Sequence, residues 1–73
     1  MTERDGSEAE IARLAANTAE KLRGRLSGLR LELRAGGVVL RGTARSFYAK
    51  QLAQHAVLSG TDQPIVRNEI EVL

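Results

Sequence analysis

The sequence predicts an α+β fold: a two-layer α-β-β-α-β sandwich in which two helices cover one face of a three-stranded mixed sheet. Three observations carry that reading. Leu29-Arg30-Leu31-Glu32-Leu33-Arg34 alternates apolar and charged residues without a break and runs into Ala35-Gly36-Gly37. Apolar residues elsewhere recur at helical spacing, at 11, 14, 15, 19, 22 and 26 and again at 49, 52, 53, 56 and 57. A last alternating run, from Ile65 to Val72, follows Pro64.

The elements follow in order. Residues 1–6 read as a disordered lead-in, and residues 7–73 as one domain. Ser7-Glu8-Ala9-Glu10 fits a capping box, in which Ser7 and Glu10 satisfy two orphan backbone N–H groups, so the first helix is expected over about 8–25. Glu8 and Glu10 suit its positive start, Lys21, Arg23 and Arg25 its negative end, and Gly24 or Gly28 supplies the stop. The first strand starts at Leu29. Glycine tolerates positive φ, so Ala35-Gly36-Gly37 is a tight turn into Val38-Val39-Leu40-Arg41-Gly42-Thr43, and the two strands form an antiparallel hairpin. Leu29, Leu31 and Leu33 face inward opposite Val38, Leu40 and Gly42. Gly42, inside a strand, is expected to mark the close approach of the second helix.

Ser46 caps that helix, expected over about 46–58, and Pro64 forbids its continuation. In the last strand Val66, Ile70 and Val72 point inward, with Asn68 among them. A buried amide without partners costs about 1–3 kcal/mol, so Asn68 is expected to bond to backbone. A strand–helix–strand crossover makes strands two and three parallel. The open face then shows Arg30, Glu32, Arg34, Val39, Arg41, Thr43, Arg67, Glu69 and Glu71, with Arg41 and Arg67 placed to pair with Glu69 or Glu71. Val39 and Ile65 are lone apolar residues on that charged face.

Composition narrows the function. The chain has 73 residues, no cysteine and one histidine, His55. That excludes disulfides and thiol catalysis, and it leaves neither a histidine-rich metal centre nor a compact nucleophile–base arrangement. Nothing in the sequence signals a cofactor, and an enzyme is not expected. With ten alanines, and Phe47 and Tyr48 as its only aromatics, the chain has a thin core; Tyr48 is expected to shield its edge, and Phe47 to do likewise or to pack on a partner. Base stacking on nucleic acid needs more aromatics, and Gly24-Arg25-Leu26-Ser27-Gly28 lacks the spacing of a G-x-x-G phosphate clamp. No run approaches the length of a membrane span. The polar N-terminus carries no export signal. As written, the chain is expected in the cytoplasm; as a fragment of a larger exported protein, it would be periplasmic or membrane-peripheral.

Charge is unevenly spread. Residues 1–22 carry −2, residues 23–50 carry +6 and residues 51–73 carry −2. The basic middle can attract phosphates, or the acidic ends neutralise it within the fold.

Gly37-Val38-Val39-Leu40-Arg41-Gly42-Thr43-Ala44 resembles the G-x-V-x-L-x-G-x-V hairpin of the BON domain, a small bacterial module often found in exported osmotic-stress proteins. Ile65-Val66-Arg67-Asn68-Glu69-Ile70-Glu71-Val72 resembles its V-x-N-x-I-x-V ending, and an Ala-rich helix of suitable length lies between. The chain departs from the family at Ala44, where valine is common, and in the longer, Pro64-containing turn before the last strand. The resemblance implies a non-catalytic binding module that attaches to phospholipid membranes. Gly37, Gly42 and Asn68, the matching positions, read as structural. Two readings follow. One is weak peripheral attachment to anionic phospholipid, with Arg23, Arg25, Arg30 and Arg34 facing phosphates. The other is a protein-interaction or self-assembly module, a homo-oligomer included, that uses the open sheet face.

Overall fold

A computed structural model describes residues 2–73, and side chains from Glu8 onward. The order is α1 (Thr2–Lys21), β1 (Leu26–Arg34), β2 (Gly37–Ala44), α2 (Phe47–Gly60) and β3 (Ile65–Val72). The sheet order is β1-β2-β3, with β1 antiparallel and β3 parallel to β2. This is the expected α+β arrangement. Its core joins Ile11 and Leu22 of α1, Leu26 of β1, Val38, Leu40 and Ala44 of β2, Ala49, Ala53 and Val57 of α2, and Ile70 of β3.

α1 differs most from expectation. It begins at Thr2 rather than near residue 8, so residues 2–6 continue the helix and Ser7 stands inside it instead of capping it. It also ends earlier, at Lys21. The Leu22 carbonyl accepts from both Arg25 N–H (2.9 Å) and Leu26 N–H (3.0 Å), which turns the chain into β1 at Gly24. α2 matches closely. Ser46 Oγ accepts from Ala49 N–H at 3.1 Å, as an N-cap should.

Two bulges revise the face assignments. Ser27 pairs with Thr43 and Arg30 with Arg41, so Gly28 and Leu29 together oppose Gly42. Gly28 takes φ +64, the left-handed conformation of a glycine bulge. The extra residue reverses the alternation, so Leu26 and Leu29, three apart, both turn toward the helices. The second bulge lies in β3. Val38 pairs with Ile65 and Val39 with Arg67, which leaves Val66 unmatched. Ile65 therefore packs on the core and Val66 is exposed, the reverse of the alternation expected from sequence. Past the bulge, Asn68, Ile70 and Val72 keep their inward phase, with Ile70 buried.

Gly42 is pressed by β1 and not by the second helix. A Cβ there would lie 3.1 Å from Ser27 O and 3.2 Å from Gly28 O, the bulge backbone, and its φ is +151. Gly42→Ala is expected to cost about 1–3 kcal/mol. Urea denaturation followed by far-UV circular dichroism measures this, and an unchanged midpoint would show that the bulge yields freely. Gly37 is closed off by another neighbour: a Cβ would run into the Pro64 carbonyl, which accepts from Val38 N–H at 2.9 Å.

Asn68 makes the backbone bond expected of it and one more. Its Oδ1 accepts from Ile70 N–H (3.1 Å), and its Nδ2 donates to Gln54 Oε1 on α2 (2.9 Å), tying helix to sheet.

Candidate functional site

The four arginines expected to face phosphates do not form one patch. Arg23 follows α1 and binds Glu20 at 2.6 Å. Arg30 and Arg34 lie on the open face of the sheet, where Glu32 gathers charge: it accepts from Arg34 Nη2 at 2.6 Å and Arg41 Nε at 3.2 Å, with Arg30 Nη2 at 3.8 Å. Arg41 continues to Glu69 at 3.0 Å, and Glu69 holds Arg67 at 2.9 Å. The cross-strand pair of Arg41 with Glu69 is as expected, whereas Arg67 meets Glu69 along β3 itself; Glu71 joins no ion pair among the described residues. Val39, between Glu32 and Arg67 in the register, is only 7% exposed. The stems of those long side chains shelter it, so it offers no apolar contact to a partner.

The Arg41 hydrogen bond, the largest influence, holds Glu32 below the ordinary glutamate range. Desolvation opposes it, and the charges of Arg34, Arg41 and Arg30 add to it. A carboxylate depressed in the folded state stabilises fully above its unfolded pKa and loses that contribution as pH falls through the folded value. Acidification below the ordinary carboxylate range is therefore expected to weaken the fold, and Glu32→Gln to reduce that acid sensitivity. Unfolding midpoints of both proteins across an acid series check this.

Arg25 belongs elsewhere, at the end of the molecule where α1 finishes, β1 starts, β2 and β3 finish and α2 starts. Arg45 N–H donates to Arg25 O at 3.0 Å, and Leu73 N–H to Ala44 O at 3.0 Å. Gly24, Arg25, Ser27, Thr43, Arg45 and Leu73 line one shallow depression. Beside it, on the first turn of α2, Phe47 is 70% and Tyr48 64% exposed. They do not shield the core edge: both rings are largely exposed, and the buried stripe starts at Ala49. Lys50 Nζ sits 6.0 Å from the Phe47 ring centroid, a cation–π distance. Among the described residues Arg25, Arg45 and Lys50 have no acidic partner within ion-pair distance. Two exposed aromatic rings thus stand on the first turn of α2, with Lys50 beside the Phe47 ring, Arg45 just before the cap and Arg25 bonded to Arg45 through the backbone.

Arg45, Tyr48 and Lys50 are the site residues that sequence reasoning missed, whereas it allows Phe47 a partner contact. The signal was there: two aromatics directly after a helix cap, between two cations, in a chain with no other aromatic.

His55 lies exposed on α2, in an open groove against α1 that Arg13, Asn17, Lys21 and Ser59 also line. Among the described residues, no helix is long and apolar enough to cross a membrane. The chain matches no family model, no curated protein and no solved structure.

Proposed function

We propose that the chain is a non-catalytic docking module, similar to BON domains, that attaches peripherally to anionic phospholipid surfaces through the α2 N-terminal end. The observation that carries this reading is the exposure of Phe47 and Tyr48 beside Arg25, Arg45 and Lys50. Aromatic rings suit the boundary between headgroup and acyl chain, because one face is apolar while polar atoms stay wet. A basic residue near an anionic leaflet contributes about 1 kcal/mol, so three give weak binding that salt screens. The centre of the open sheet face supports the protein-interaction reading less: Glu32 and Glu69 already hold Arg34, Arg41 and Arg67, and Val39 is covered.

Co-sedimentation with phosphatidylglycerol and phosphatidylcholine vesicles tests the proposal. Binding to the acidic vesicles at low salt, lost at high salt and absent from the neutral vesicles, is the expected result. A chain that stays in the supernatant with acidic vesicles at low salt is not a lipid-docking module.

A further inference from the structure

The two edges of the sheet are built differently. β3 is blunted: Pro64 precedes it, Val66 bulges from it, and Asn68 Oδ1 occupies Ile70 N–H. Such devices keep an edge from pairing with another chain. β1 has its bulge near its start, and from Arg30 to Arg34 its ladder is regular. Among the described residues no strand pairs with its outer side.

The apolar face of that edge is also unfinished. Leu31 and Leu33 are only partly buried, whereas their β2 partners Leu40 and Val38 are fully enclosed. A concavity follows the edge between α1 and β1, with Ile11, Ala12, Leu31 and Leu33 in its wall and Glu8 and Arg34 at its rim. On this flank of α1, helical spacing stacks Ala12, Ala15 and Ala19, whose small side chains leave room for a second helix to approach.

We propose that β1 is a pairing edge at which a second copy of this chain docks antiparallel, joining the two sheets into one. The occupant follows from the sequence of the edge. Leu29-Arg30-Leu31-Glu32-Leu33 is complementary to its own reverse about Leu31. In that register leucine meets leucine on the helix-covered face, and Arg30 meets Glu32 of the second copy, twice, on the open face. Glu32 has the capacity for it. Its Oε1 serves Arg34 and Arg41, while among the described residues Oε2 has only Arg30 of its own chain at 3.8 Å, beyond hydrogen-bond reach. The two-fold axis leaves the Phe47–Tyr48 end of each copy uncovered, so pairing and lipid contact use separate surfaces.

Sedimentation equilibrium over a wide concentration range, with Arg30→Glu and Glu32→Arg, tests the proposal. The native chain is expected to form dimers as concentration rises. Either variant alone sets like charges opposite each other twice and is expected to weaken the dimer about tenfold or more. An equimolar mixture restores attraction at both pairs and regains the dimer as a heterodimer. Should Glu32→Arg fold poorly, hydrogen exchange keeps the test sharp. Amides of β1 exchange more slowly at high concentration in the native chain, and this protection is lost in Arg30→Glu, whose substituted side chain is exposed. A native chain that stays monomeric with concentration-independent exchange overturns the proposal. So does a dimer indifferent to Arg30→Glu, or the absence of a heterodimer from two folded variants.

Discussion

Converting Arg25, Arg45 and Lys50 together to glutamate is expected to abolish attachment to acidic vesicles. Each cation near an anionic surface contributes about 1 kcal/mol, and each reversal also adds repulsion. The triple change therefore removes more than about 3 kcal/mol, at least about a hundredfold in partitioning. The fold tolerates it, because none of the three holds an ion pair among the described residues. Arg13→Glu is the matched control: it changes an exposed cation in the groove between the helices, away from the α2 start. Vesicle co-sedimentation at low salt reads both, with circular dichroism to confirm folding. Phe47→Ala is expected to weaken binding and leave its salt dependence in place, since it removes apolar contact and no charge. If the triple variant pelleted with acidic vesicles as the native chain does, the α2 end would not be the contact.

Leu40→Ala is expected to cost about 2–5 kcal/mol, the largest loss of stability from a single truncation. Leu40 is fully enclosed in the central strand, where Leu31 pairs with it from β1 and Asn68 from β3. A chain this short is stabilised by about 4–11 kcal/mol at most, so the variant sits near the unfolding threshold. Val39→Ala, one residue away, is the comparison. Val39 is nearly as buried, but beneath charged side chains that can settle into the space, so about 1 kcal/mol is expected. Urea midpoints followed by circular dichroism rank the two. Equal costs would mean that the helix-covered face is no better packed than the charged one.

Much of the fold was legible because local signals agreed with it. The hairpin turn, the Ser46 cap, the break at Pro64 and the β3 span all lie where residue chemistry puts them. The errors of face in the strands have one physical origin. A side-chain alternation of period two carries no mark of an inserted residue, and a bulge sets the residues on its two sides in opposite phase. Hence Ile65 and Val66 exchange faces, and Leu26 joins the core although it lies out of phase with Leu29 and Leu31. Gly42 was recognised as a point of close approach, but its neighbour is the β1 bulge, which only the register reveals.

The candidate site was less legible, because it is assembled from distant segments. Arg23, Arg25, Arg30 and Arg34 are neighbours in sequence, yet β1 carries the last two away onto the open face, where Glu32 engages them. Arg45 comes beside Arg25 only because the hairpin returns β2 to the end where β1 began.

By itself the sequence determined the α-β-β-α-β order, the apolar faces in outline and the absence of cysteine chemistry, since each depends on residue type and short-range spacing. Tertiary structure alone decided which cations remain unpaired, which aromatics stay bare and which sheet edge is left open. Those properties depend on what packs beside each residue, and strand register sets that across tens of intervening positions.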